Sequence, residues 1–233
     1  MWNATKVGEM TETQTALTFD SPVVLVGGVP DPVGLSDLPS GWPVIAADSG
    51  VHAALKAGRA PLAIIGDMDS VKDLASLPPE IQQIKLSGQD DTDFEKCLNL
   101  IVAPLIVGVG FIGGRFDHSL GVMHALAATA NQSNLLLTGA DDIILSTKGN
   151  IKMRLPVGIR FSIVPLVRQS FIASSGLAWP LDGLHMEFGN AIGISNRICD
   201  PDISITAGVG DGYAVIAPFD CLETILGQTL ASL

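Results

Sequence analysis

The spacing of apolar positions along this chain changes near its middle. From residue 21 to about residue 139, short β-branched runs alternate with stretches of helical spacing, the pattern of βαβ units on a mostly parallel sheet. The predicted strands are residues 22–28, 43–47, 61–66, 82–86, 104–113 and 134–139. Between them, Phe94, Cys97, Leu98 and Ile101 fall at i, i+3, i+4, i+7, and Phe116, Leu120, Met123 and Ala127 at i, i+4, i+7, i+11. Each set predicts a helix with one buried face. Beyond residue 139 the runs DDIILST, IKMRLP, IRFSIVPL, GLAWPL, LHMEFG, DISITA and GYAVIAP are separated by Gly, Pro, Asp and Asn. That spacing predicts a small antiparallel sandwich, whereas the tail 219–233 returns to helical spacing. The expected class is α/β: a polar segment (1–20), a mostly parallel α/β domain (21–142) and an antiparallel β-sandwich domain (143–233).

Composition adds two constraints. The 233 residues are 47% hydrophobic and only 16% charged, against about a quarter charged in ordinary soluble domains. A charge-poor surface suits contact between subunits, so an oligomer is expected. With 13 Lys and Arg against 24 Asp and Glu, the net charge of −11 argues against a general binder of nucleic acid or anionic membrane. Any phosphate bound here needs a metal or local donors. Cys97, Cys199 and Cys221 are widely spaced and form neither a disulfide framework nor a zinc motif. The first twenty residues lack the apolar segment of a signal peptide, and the most apolar run, residues 98–114, is broken by Pro104 and four glycines. The expectation is a cytoplasmic protein.

In an open parallel sheet, ligands bind outside the carboxyl ends of the strands, and here those positions are acidic. Asp48 follows one predicted strand, Asp67 and Asp69 the next, and Gln89-Asp90-Asp91-Thr92-Asp93 opens a helix. The strand 104–113 runs into Gly114-Arg115-Phe116-Asp117. Carboxylates a few ångströms apart repel by about 1–4 kcal/mol, and a divalent cation relieves that conflict. An oxygen-only rim matches Mg²⁺, which keeps waters and substrate phosphates in its shell. Each residue also has a structural reading. Asp48, Asp69 and Asp117 suit helix caps, Thr92-x-x-Glu95 has capping-box spacing, and Asp93 complements a helix dipole. His118 and His124 suit packing or surface positions. Caps alone, however, do not call for Asp at so many neighbouring strand ends. Gly113-Gly114-Arg115 supplies the cation, since glycines admit an anion to the backbone and Arg offers a planar fork of donors.

Taken in order, these motifs resemble the thiamine pyrophosphokinase family. The resemblance rests on Ala47-Asp48-Ser49-Gly50, Gly66-Asp67-Met68-Asp69-Ser70, Asp90-Asp91-Thr92-Asp93-Phe94-Glu95-Lys96-Cys97-Leu98, Gly113-Gly114-Arg115-Phe116-Asp117-His118, Gly176-Leu177-Ala178-Trp179-Pro180-Leu181 and Gly193-Ile194-Ser195-Asn196. It implies an α/β ATP-binding domain followed by a β-sandwich that helps bind thiamine, in a homodimer with thiamine held between subunits. It implies transfer of the pyrophosphoryl group of ATP to the thiamine hydroxyl, giving AMP and thiamine diphosphate. Asp48, Asp67, Asp69 and Asp93 would then handle Mg²⁺, with Asp67, Asp69, Asp93 and Arg115 as the catalytic set. Gln89, Thr92, Arg115 and Asp117 would contact nucleotide and phosphate, and Trp179, Ser195 and Asn196 the thiamine. A pterin pyrophosphokinase shares the acidic rim, but an indole face suits a planar cationic heterocycle. Asp67-Met68-Asp69 also resembles the start of DxD phosphatases, with Asp141-Asp142 as their late acidic pair. That reading leaves GGRFDH without a role. A non-catalytic sensor of thiamine diphosphate would not require the full acidic rim.

Overall fold

Every residue of VVLV (23–26), VIAA (44–47), AIIG (63–66) and LIVGV (105–109) is buried, because both faces of the sheet they form are covered. The structure, a computed structural model, describes residues 16–86, 91–113, 115–129 and 134–233. In chain order the first strands are β1 (Leu17–Thr18), β2 (Val23–Val26), β3 (Val44–Ala47), β4 (Ala63–Gly66), β5 (Gln82–Lys85), β6 (Ile101–Val102), β7 (Leu105–Val109) and β8 (Asn134–Thr138). They are followed by β9 (Asp142–Thr147), β10 (Ile151–Arg154), β11 (Ser162–Pro165), β12 (Arg168–Ser175), β13 (His185–Glu187), β14 (Asp202–Gly210) and β15 (Tyr213–Pro218). The helices are α1 (Gly50–Lys56), α2 (Asp93–Leu100), α3 (Phe116–Thr129) and α4 (Leu222–Ala231).

A nine-stranded sheet in the order β11-β15-β9-β8-β7-β2-β3-β4-β5 forms the backbone of the fold. It is parallel from β5 to β8 and antiparallel from β8 through β9 and β15 to β11. The second sheet, β10-β14-β12-β13, is antiparallel throughout. Alternate residues of β2 face opposite cores. Val23 and Leu25 meet Phe94, Cys97 and Leu98 of α2 and Val122, Ala125 and Leu126 of α3. Val24 and Val26 belong to the core that includes Met153, Phe171 and Ile205 of the second sheet and Ile225 of α4. Each fully buried side chain of this size contributes about 1.5–3 kcal/mol, so this shared core binds the second sheet to the first. Among the described residues, no helix is long and apolar enough to cross a membrane.

The α/β class with an additional antiparallel sheet is as expected, and the tail forms α4 as its spacing predicts. Three details differ. GLAWPL is not a strand; it is irregular, with a single bridge from Leu177 to Ile198. The central strand β12, which the apolar pattern misses, is RQSFIASS, where polar residues interrupt the alternation and register shifts fall between Gln169 and Phe171 and between Phe171 and Ala173. Helix α3 buries Val122, Ala125 and Leu126, whereas Phe116 and Leu120 are 75% and 54% exposed. The helix is apolar on several faces, so more than one register satisfies the periodicity, and its first turn lies in solvent.

Candidate active site

β3 ends at Ala47, and the chain turns immediately. Asp48 adopts φ 44°, a left-handed conformation uncommon for residues other than glycine. Two residues later α1 begins at Gly50, packed so tightly on β2 that a Cβ there would lie 2.1 Å from the carbonyl oxygen of Val26. β4 ends similarly, at Gly66, followed by Asp67 and a left-handed Met68 (φ 69°). Helix α2 starts at Asp93 behind a complete capping box formed by Thr92 and Glu95. These three termini bring one carboxylate oxygen each of Asp48, Asp67 and Asp93 within 4.8 Å of one another. Backbone strain of this kind costs about 1–3 kcal/mol per residue and persists where surrounding structure enforces it.

The electrostatics of the trio are unbalanced. Burial pushes the Asp48 carboxyl above its ordinary range; Asp93 and, more weakly, Asp67 add to the rise, against opposing hydrogen bonds from the Ser70 side chain and the Ser49 backbone. Oδ1 of Asp48 is buried without a hydrogen-bond partner. Lys96, only 7% exposed, places Nζ 3.0 Å from Oδ1 of Asp93 and offsets part of the negative charge. Gly66 keeps the centre open, since a Cβ there would lie 3.0 Å from Cβ of Asp48 and 3.3 Å from Oδ1 of Asp93. Three convergent carboxylates, an unsatisfied buried oxygen and a glycine-lined gap suit a hard divalent cation.

The structure separates the other expected residues from this cluster or gives them different partners. Asp69 is exposed and stands outside the trio; its N–H donates to Oδ1 of Asp67 at 3.0 Å, so it shapes a ligand instead of adding one. Thr92 commits its hydroxyl to the cap, exchanging hydrogen bonds with Glu95. Asp48 is not a side-chain cap, for the N-cap of α1 is Ser49 and no side-chain cap bond forms there. Arg115 donates from Nε to Oδ1 of Asp117 at 3.1 Å and makes a second contact through Nη2 and Oδ2. That guanidinium holds the Asp117 carboxyl below its ordinary range. Gln89 lies outside the described residues. Asp142 pairs with Arg160, so this member of the acidic pair in the phosphatase reading is engaged elsewhere. Sequence reasoning missed Lys96 and Ser70, although both lie inside the quoted motifs. The signal for Lys96 was a lysine three residues after Asp93 on a helix that buries its apolar face.

A second concavity lies on the antiparallel part. Trp179, Leu184, Met186, Ile192, Ile194 and Ser195 help line a cavity of about 400 Å³, a volume typical of small-molecule sites. Trp179 is 59% exposed, which removes the reading of it as a core residue. Asn196 is buried and uses its amide to hold the Trp179 backbone: Oδ1 accepts from Trp179 N–H at 3.1 Å and Nδ2 donates to Trp179 O at 2.7 Å. Oδ1 also accepts from Arg197 N–H at 2.8 Å, so three of the four hydrogen-bonding positions of this amide serve the fold. Ser195 is left-handed (φ 59°), and its N–H donates to Ser162 Oγ at 2.9 Å. Ile192 and Ile194, absent from the expected set, give the cavity much of its apolar wall.

Comparison with known proteins covers both parts. Residues 40–137 match the family description "Thiamin pyrophosphokinase, catalytic domain", and residues 150–210 match "Thiamin pyrophosphokinase, vitamin B1 binding domain". Thiamine pyrophosphokinase 1 of rice is 30% identical over 166 residues, covering 63% of this chain and 62% of that protein. The match thus spans about three-fifths of the rice relative. Thiamine pyrophosphokinase of Bacillus subtilis is 26% identical over 191 residues, covering 75% of this chain and 88% of the relative. The solved thiamin pyrophosphokinase of Geobacillus thermodenitrificans superposes with a TM-score of 0.71 at 22% identity, over 84% of this chain and 97% of that one. That from Candida albicans gives 0.69 at 16% identity, over 89% and 95%. At these identities the two structures share its fold.

Proposed function

The chain belongs to the thiamin pyrophosphokinase family, and on that premise we propose that it transfers the pyrophosphoryl group of ATP to thiamine. The observation that carries this reading is the convergence of Asp48, Asp67 and Asp93 within 4.8 Å around an unsatisfied buried oxygen. These three residues would hold Mg²⁺, which when bound supplies positive charge to the phosphate oxygens. Lys96, with Nζ 3.0 Å from Oδ1 of Asp93, would orient that carboxylate toward the cation. Arg115, whose guanidinium pairs with Asp117 in the free chain, would turn its planar fork to phosphate oxygens. Trp179 offers the exposed indole face expected to stack on a planar cation, and Asn196 fixes where that face stands.

In the reaction the thiamine hydroxyl oxygen bonds to the β-phosphorus, the bond from that phosphorus to the oxygen bridging to the α-phosphate breaks, and AMP leaves. The hydroxyl proton passes to solvent or to a carboxylate of the rim. Phosphoryl chemistry of this kind is accelerated mainly by positioning and electrostatic stabilisation, and a rim of fixed charges provides both. The match of residues 150–210 to a vitamin B1 binding domain favours thiamine over a pterin. We further propose that two copies assemble so that the acidic rim of one faces the Trp179 cavity of the other. The low charged fraction and the exposed Trp179, Leu184, Ile192 and Ile194 around that cavity support such a homodimer. Incubation of the full chain with Mg-ATP and thiamine, with products identified by mass, tests the reading. AMP with thiamine diphosphate is expected; inorganic phosphate alone contradicts it.

A further inference from the structure

The loop after β4 bears Asp67 and Ser70, and most hydrogen bonds that shape it are local. Asp69 N–H reaches Asp67 Oδ1, Val71 N–H reaches Met68 O at 3.4 Å, and Ser76 N–H reaches Asp73 O at 2.8 Å. Two of its non-glycine residues are left-handed, Met68 at φ 69° and Asp73 at φ 50°. Such a segment relaxes readily unless something outside it holds its shape. One outside hold is hydrophobic, through Met68, Val71 and Leu74 against Val51 and Ile64. Another is a hydrogen bond to helix α1: Lys72 N–H donates to Nε2 of His52 at 3.0 Å.

That bond joins two of the three supports of the acidic trio, those of Asp48 and Asp67. His52 lies in the first turn of α1, four residues after Asp48 in the chain, and Lys72 follows Asp67 and Ser70 in the loop. Apolar contacts slide, whereas a hydrogen bond prefers one distance and direction. To accept here, Nε2 must be the unprotonated nitrogen, with the ring hydrogen on Nδ1. We infer that His52 is a positioning residue for the cation site: by accepting the Lys72 N–H it sets the separation of Asp48 and Asp67. The inference rests on the divalent-cation reading above. Groups that orient metal ligands without touching the metal typically affect affinity by about 10–100-fold, and His52 belongs in that class.

The test is Mn²⁺ binding to the full chain without substrate, followed by the resonance signal of free Mn²⁺, together with amide exchange at Lys72. Four proteins are compared: wild type, Asp93→Asn, His52→Leu and His52→Gln. Glutamine offers a side-chain oxygen that can accept the same N–H; leucine does not. His52→Leu is expected to weaken Mn²⁺ binding by about tenfold or more and to speed exchange at Lys72. His52→Gln is expected to stay near wild type in both. Should His52→Leu fail to fold, His52→Ser, which is too short to reach the amide, replaces it. Wild-type affinity in His52→Leu overturns the inference. So does an equal loss in His52→Gln, which would assign the effect to ring packing. Failure of wild type to bind Mn²⁺, or equal binding by Asp93→Asn, overturns the cation reading itself and this inference with it.

Discussion

Where β3 and β4 end and α2 begins, three aspartates crowd a space 4.8 Å across, beside left-handed backbone at Asp48 and Met68. The cavity beside Trp179, about 400 Å³, is lined mainly by apolar residues and by no charged side chain. The first region is strained by like charge until a cation arrives, and the second exposes apolar surface until something covers it. Each therefore carries an unfavourable feature in the free chain that its own ligand removes. On the proposed function, the difference teaches that the two substrates would be met by different physics: fixed charge for the phosphates, and aromatic and aliphatic surface for the heterocycle. Loss of function should accordingly take different forms in the two regions.

The strongest way to break this comparison is at the rim. Asp67→Asn or Asp93→Asn is expected to lower kcat by about a hundredfold or more. Asp67→Asn should leave the melting temperature of the metal-free protein unchanged or higher because repulsion is relieved, whereas Asp93→Asn, which also leaves the buried Lys96 without its carboxylate, should lower it. Near-wild-type kcat at saturating Mg²⁺ would detach the trio from catalysis. At the cavity the expected effect is smaller and falls on KM. Trp179→Ala should raise the thiamine KM by about several-fold to thirty-fold, corresponding to roughly 0.5–2 kcal/mol of stacking on a cation, with the ATP KM and the melting temperature little changed. A variant that melts far earlier yet binds thiamine normally would return Trp179 to a packing role.

Arg115→Lys sharpens the electrostatic side. Charge is retained but the planar fork is lost, so turnover should fall by about several-fold; equal kinetics would make Arg115 a structural residue. Tyr213→Phe touches neither region and serves as the reference. Its hydroxyl donates to Gly149 O at 2.8 Å, and removing that bond should cost about 1 kcal/mol in denaturant unfolding without changing either KM. Burial holds the Tyr213 proton above the ordinary value of 10.0. The unfolded chain therefore loses this proton first, and wild-type stability should fall as pH rises above 10.0. In the Phe variant that alkaline slope should be shallower.

The rim was more legible than the cavity for reasons of geometry. Parallel strands end at fixed edges, so an acidic residue directly after a strand lands near its neighbours, as Asp48 and Asp67 do, while Asp93 joins them from the first position of α2. Asp69 misses because the chain turns at Met68, a backbone conformation that methionine does not advertise. The cavity depends on GLAWPL and on residues 192–196, irregular segments with no period to read. Trp179 and Ser195 were visible through motif resemblance, whereas Ile192, outside the quoted motifs, and Ile194, inside one, carry no polar chemistry to single them out. The role of Asn196 as the holder of Trp179 needed coordinates, since a sequence does not record where an amide is directed. Strand β12 was hidden by its own polarity, and the register of α3 by an excess of apolar residues.

The nine-stranded sheet has a mechanical consequence. Its hydrogen-bonded ladder passes from β8 to β9 with four residue pairs in register, Leu135 with Ser146 through Thr138 with Ile143, and continues from β9 to β15 over six more. The chain thus crosses from its parallel to its antiparallel portion through a continuous beam, with no soft linker between them. A swinging motion of one portion against the other would have to tear that ladder. On the proposed function, any closure around substrates would therefore come from short surface loops or from the meeting of two rigid copies.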